Sequence, residues 1–155
     1  MERQSATYRP RLLVIDAMSQ IFRAFFALQP PSRFSVQHDD GEVEYTNAVY
    51  GFTTIVLRVI ELYEPEYVVV AFDTPGPNFR DDKFEGYKAN RAPPPDELVP
   101  QFDRVRQMVD ALGIPSFALP GFEADDILGR MAVEGVDQGM HVLLMTSDPV
   151  SYTHL

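Results

Sequence analysis

The architecture of this chain can be read outward from Leu12-Leu13-Val14-Ile15-Asp16. Four apolar residues in succession leave no polar face. A strand made of them must be covered on both sides, as in a parallel sheet flanked by helices. The run then stops at a carboxylate. Tyr67-Val68-Val69-Val70-Ala71-Phe72 repeats the pattern and stops at Asp73, and Val142-Leu143-Leu144-Met145 leads through Thr146-Ser147 to Asp148. Open α/β sheets carry their sites at the carboxyl ends of their strands. One aspartate there is often only a cap for the next helix. Three of them, facing an acidic helix start, exceed what capping requires.

That helix start is Gly121-Phe122-Glu123-Ala124-Asp125-Asp126-Ile127-Leu128. Pro120 and Gly121 break the chain before it. Ile127, Leu128 and Met131 then recur at helical spacing, so Glu123 to Asp126 form a first turn. Acids suit a first turn, where unpaired backbone N–H groups and the positive dipole end lie. A third acid adds little and repels its neighbours. A divalent cation would remove the repulsion, and Mg²⁺ or Mn²⁺ takes hard oxygen ligands of this kind. On this stretch alone, helix-end acids and a metal site both remain open.

The rest of the chain completes an alternation of strands and helices. Residues 1–10 are polar and read as a disordered segment. Ala17 to Leu28 reads as a helix with Ile21, Phe22, Phe25 and Phe26 packed into the core. Gln29 to Glu44 reads as a polar loop, with His38 solvated. Thr46 is placed to cap a helix running to Tyr63, with Val49, Phe52, Val56, Val59 and Tyr63 in register and Pro65 beyond it. Asp96 is placed to cap another, through Leu98, Phe102, Val105, Val109 and Leu112 to a stop at Gly113. A short strand over Pro115 to Leu119 precedes the acidic helix, which reaches Val136. The expectation is an α/β fold with a mostly parallel central sheet flanked by helices.

Between Thr74 and Pro95 the chain changes character. Arg80, Lys83, Lys88 and Arg91 are interleaved with Phe79, Phe84 and Tyr87. Bases with aromatics beside an acidic site suit a strand-gripping element. Asp81, Asp82 and Glu85 nearly balance the charge, which suits an ordinary solvated loop equally well.

Composition sets the outer bounds. The 155 residues are 45% hydrophobic, enough for one domain with a core. The absence of cysteine excludes disulfides and thiolate metal sites. No apolar run reaches membrane-spanning length and the start lacks a signal-peptide core, so the expectation is a cytoplasmic protein with no membrane partner. A net charge of −10 argues on its face against nucleic acid, but acids gathered around bound cations would be partly offset.

Six blocks in order carry a resemblance: Leu13-Val14-Ile15-Asp16, Ala48-Val49-Tyr50-Gly51-Phe52, Val70-Ala71-Phe72-Asp73, Phe79-Arg80, Gly86-Tyr87-Lys88-Ala89-Asn90-Arg91 and Gly121-Phe122-Glu123-Ala124-Asp125-Asp126. With them the chain resembles the 5′-nuclease domain of bacterial DNA polymerase I, of the flap endonuclease group, with a PIN-like fold. The resemblance covers 11–148. It implies a divalent-metal-dependent 5′-3′ exonuclease or flap endonuclease that hydrolyses DNA, with Mg²⁺ or Mn²⁺ as cofactor. DNA with 5′ flaps, 5′ ends or branches would be the partner, and a polymerase domain would belong to the full-length parent. Asp16, Asp73, Glu123 and Asp125 match the family's carboxylates around one ion, with Asp126 beside them. Asp148 matches a ligand of a second ion. Arg80, Tyr87, Lys88 and Arg91 match residues at the base of the family's helical arch, where cations would stabilise charge on the scissile phosphate.

The departure comes at the end. The family follows this aspartate with lysine and a further metal-binding aspartate, whereas the chain reads Asp148-Pro149-Val150. Valine cannot ligate. Residues 149–155 read as an atypical tail in place of the family continuation, so the second site and the activity of this fragment are weakened. A phosphatase of the haloacid dehalogenase type would want a second acid two residues after Asp16, where Met18 stands. The remaining alternative is a non-catalytic nucleic-acid-binding or interaction domain with a vestigial acidic site.

Overall fold

The computed structural model describes residues 8–74 and 93–146. Its main sheet has four parallel strands, β1 (Arg11–Asp16), β4 (Tyr67–Ala71), β5 (Ser116–Phe117) and β6 (His141–Met145), in the order β5-β4-β1-β6. Four α-helices lie among the described residues: α1 (Ala17–Ala27), α2 (Asn47–Tyr63), α3 (Val99–Ala111) and α4 (Ala124–Asp137). The expected α/β architecture is therefore the observed one.

Alternation along the strands sorts the core into two layers, because successive side chains point to opposite faces. Leu13, Ile15, Val70 and Phe72 face one way and pack with Ile21, Phe25, Phe52, Val56, Val105 and Val109 of α1, α2 and α3. Val14 and Ala71 face the other way and pack with Ala124, Ile127 and Leu128 of α4. Both faces of β1 and β4 are covered, which is why their sequences show no polar alternation. The chain builds β1, β4 and β5 in one direction, then returns under α4 to lay β6 on the other flank of β1. The carboxyl edge of β1 thus lies where the winding reverses.

α1 and α2 meet closely at Gly51. A Cβ there would stand 2.7 Å from Ala24 Cβ and 3.0 Å from Leu28 Cδ1. Ala24 cannot yield without moving a helix. Gly51→Ala is therefore expected to destabilise the fold by about 1–3 kcal/mol, despite alanine's better helix propensity. Chemical denaturation of the two proteins measures this, and a stability gain would contradict the packing.

Several local expectations are corrected. The stretch read as a polar loop contains an antiparallel hairpin, β2 (Ser35–Gln37) with β3 (Val43–Tyr45), turned at Gly41 with φ +88°. β2 is exposed throughout and β3 is at most half-buried, so no burial pattern marked the hairpin. His38 is exposed but bonded, 2.9 Å from Glu44, whose carboxylate also pairs with Arg104 of α3. Thr46 stands at the N-cap of α2, yet its hydroxyl donates to the Phe34 carbonyl. Asp96 does not cap α3, which starts at Val99 with Leu98 at its N-cap. Phe26 is 59% exposed rather than core.

The cap of α2 comes instead from another helix. Gln101 of α3 is buried, and its Oε1 accepts from Ala48 N at 2.8 Å and from Val49 N at 3.4 Å. Its Nε2 donates to Asn47 Oδ1 and to the Glu97 carbonyl, both at 2.9 Å. Asn47 Nδ2 in turn donates to the Phe25 carbonyl at the end of α1. One amide pair thereby joins three helix ends.

Most of the segment expected to be disordered, 1–7, lies outside the described residues. Of the remainder, the Tyr8 hydroxyl donates to Glu66, and the Pro10 carbonyl accepts from His141 N at 2.8 Å.

Candidate functional site

Asp16 ends β1 and caps α1, and its position dictates its environment. The residue is 7% exposed. Oδ1 accepts from Ser19 N at 3.0 Å, capping α1, and Oδ2 accepts from the Thr146 hydroxyl at 3.3 Å. Burial raises its pKa from the ordinary carboxylate value to about 6, and the charges of Asp125 and Asp73 push in the same direction. The two donors oppose that rise without cancelling it. The repulsion that Asp73 and Asp125 exert on Asp16 places each of them near it.

Asp73 reaches that neighbourhood from β4. The strands are parallel and Asp16 pairs with Ala71, so Asp73 stands at the same edge, two residues further along. Its Oδ1 accepts from Ala124 N at 2.6 Å, which ties the strand end to the first residue of α4. Its backbone carbonyl accepts from Arg106 Nη2 at 3.3 Å, and the Arg106 guanidinium lies over the Phe72 ring at 4.1 Å from its centroid.

α4 supplies the third segment. Glu123 is its buried N-cap residue, and Asp125 and Asp126 fall in the first turn. Asp126 Oδ2 accepts from Glu123 N at 3.0 Å, half of a capping box. Asp126 thus serves as a helix-end acid, while Asp125 acts on the charge of Asp16.

Asp16, Asp73 and the acidic start of α4, with Glu123, Asp125 and Asp126, therefore come from three chain segments at one sheet edge, and Asp73 and Asp125 stand close enough to Asp16 to act on its charge. Among the described residues, no group of three Asp, Glu or His side chains is gathered tightly enough to hold a metal ion as it stands. Asp148 and the basic and aromatic set Arg80, Tyr87, Lys88 and Arg91 lie outside the described residues. Two nearby residues carried no signal in the sequence. Arg106 had only its helical register, and Thr146 had only its place between β6 and Asp148.

Thr146 also lines a cavity of about 390 Å³ between α1, α2 and β6, together with Gln20, Arg23, Tyr63 and Met145. Gln20 is 1% exposed. Its Nε2 donates to Ser19 Oγ at 3.1 Å, while its Oε1 has no hydrogen-bond partner among the described residues.

Residues 11–150 match the family described as the 5′-3′ exonuclease, N-terminal resolvase-like domain. The chain belongs to that family. It is 41% identical over 139 residues to DNA polymerase I of Chloroflexus aurantiacus and 39% identical over 140 residues to DNA polymerase I of Mycobacterium tuberculosis. Each match takes in 90% of this chain but only 14% and 15% of those relatives. The chain thus spans about one seventh of the polymerases it resembles.

Solved structures give the same fold. A bacteriophage T5 5′-exonuclease with bound zinc superposes with a TM-score of 0.62 at 19% identity, covering 89% of this chain and 49% of that one. A bacteriophage T5 flap endonuclease, in a pseudo-enzyme-product complex with DNA and metal ions, gives 0.63 at 19%, covering 94% and 52%. At that identity the likeness establishes the exonuclease fold and nothing finer. No helix among the described residues is long and apolar enough to cross a membrane.

Proposed function

We propose that the chain is the amino-terminal part of a divalent-metal-dependent nuclease that hydrolyses DNA at 5′ ends and flaps. The observation that supports this reading is the placement of Asp16, Asp73 and the acidic start of α4 at the carboxyl edge of the sheet, with the charges of Asp73 and Asp125 acting on Asp16. The donor set fits Mg²⁺ or Mn²⁺: it is all carboxylate oxygen, and buried charges of one sign repel until a cation joins them. A bound ion pair would supply an activated water and stabilise the leaving oxygen.

The chain's own residues prepare the edge for that chemistry. Ser19 N and the Thr146 hydroxyl hold the Asp16 carboxylate, and Ala124 N holds that of Asp73. Asp148 would serve a second ion. Arg80, Tyr87, Lys88 and Arg91 would grip the 5′ strand and offset phosphate charge. The setting would be DNA replication and repair in the cytoplasm, in a parent that also carries a polymerase domain, as the relatives' name suggests.

Valine at 150 removes the acid expected for the second ion, so this fragment should bind one ion better than two and cleave weakly. The competing reading, a non-catalytic nucleic-acid-binding domain, draws on the same Val150 and on the finding that no three of the described acids form a group able to hold a metal ion. A labelled 5′-flap duplex separates the two, tested in Mg²⁺, Mn²⁺ and EDTA. Cleavage that needs the metal, slow in this chain and faster with Pro149→Lys and Val150→Asp, supports the nuclease. DNA binding without metal-dependent cleavage in either version supports the alternative.

A further inference from the structure

The Thr146 hydroxyl belongs to the last residue described after β6, 130 positions from its acceptor, Asp16 Oδ2. Thr146 is 6% exposed and Asp16 7%. Ser19 N holds the other oxygen of the same carboxylate. The two donors come from different elements, one from the first turn of α1 and one from the end of β6. Together they engage both oxygens of the carboxylate. Thr146 shares the lining of the cavity with Gln20, whose Nε2 bonds Ser19 Oγ. The Asp16 carboxylate thus holds two hydrogen-bond donors while the charges of Asp73 and Asp125 act on it.

We propose that Thr146 is a positioning residue that orients the Asp16 carboxylate toward a divalent cation at the sheet edge. The inference rests on the metal-dependent reading above and adds a residue to it. A carboxylate held by a hydrogen bond on each oxygen presents its remaining lone pairs in one direction. One that rotates must be ordered again each time it ligates. Partners of this kind typically govern metal affinity by about 10–100-fold. Threonine suits the role because its β-branched side chain is stiff about χ1 and holds the hydroxyl in place.

Mn²⁺ is the probe, titrated by calorimetry into the chain and into Thr146→Val and Thr146→Ser, with thermal unfolding recorded for each in EDTA. Valine keeps the shape and removes the hydroxyl, and serine restores the hydroxyl. The expected result is Mn²⁺ affinity lowered about 10-fold or more in Thr146→Val and recovered to within about 3-fold in Thr146→Ser. A merely structural role would make affinity follow the unfolding temperature across the three proteins, and that result overturns the proposal. Equal affinity in all three overturns it as well, leaving the metal reading intact. No Mn²⁺ binding by the unsubstituted chain overturns the metal reading and this proposal with it.

Discussion

Asp16→Asn is expected to abolish tight divalent-ion binding and, in the same protein, to raise thermal stability at neutral pH in EDTA. The two effects share one cause. The carboxyl is buried beside Asp125 and Asp73, and its pKa stands at about 6 instead of the ordinary 3.8. A raised carboxyl pKa means that the folded state holds the proton more tightly than the unfolded state. Below about pH 4 both states are protonated and the stabilisation is fully present. It is lost as pH rises from there through 6, at about 1.4 kcal/mol for each pH step of one. The folded and unfolded values lie about two pH steps apart, so the metal-free protein at pH 7 carries a cost of about 3 kcal/mol from this one group.

Asparagine removes the charge and keeps the shape. Its oxygen can accept from Ser19 N while its amide donates to the Thr146 hydroxyl oxygen. The variant should unfold roughly 5–10 °C higher than the parent at pH 7 in EDTA, with the gap closing toward pH 4. Cleavage by the full-length parent should fall by more than about 100-fold, since even outer partners of metal ligands cost up to that much. Unfolding temperature against pH, in EDTA and in Mn²⁺, checks both halves. A variant no more stable than the parent at pH 7 would show that the Asp16 charge is not a burden on the fold.

Gln101→Leu should destabilise the fold by about 3–5 kcal/mol, through the junction of three helix ends that its amide joins. Leucine fills the space but leaves Ala48 N, Val49 N and Asn47 Oδ1 without the partners they have now. These groups lie in a buried region, and each unsatisfied one costs about 1–3 kcal/mol, reduced where water can enter. Urea unfolding of Gln101→Leu, Asn47→Ala and the double variant measures the loss. If the amide pair acts as one unit, the double variant should lose much less than the sum. Strict additivity would mean that the two side chains act separately.

Asp16 and Gln101 differ in how legible they were. Asp16 and Asp73 stood out because each ends an unbroken apolar run. Such a run is a strand covered on both faces, and a strand's end in a parallel sheet is a site edge. Glu123, Asp125 and Asp126 stood out because acids crowd one helix start. Both signals are local: they depend on residues within one turn or one strand. Local signals also misled. Thr46 and Asp96 have the residue types of caps, but the Thr46 hydroxyl bonds the Phe34 carbonyl and the helix after Asp96 begins only at Val99. Phe26 followed the apolar period of α1 yet faces solvent for more than half of its surface.

The strands, the main helices, their alternation and the carboxylates of the edge could thus be read from residue order alone, because burial on both faces and helix-end electrostatics write themselves into neighbouring residues. The exposed hairpin, the amide of Gln101 at the start of α2 and the Thr146 hydroxyl on Asp16 emerged only from long-range packing. These are hydrogen bonds across 53 and 130 residues, or pairings that bury little apolar surface. A hydrogen-bonding side chain records only that it needs a partner. Which partner it meets depends on where packing of the apolar layers brings distant segments together.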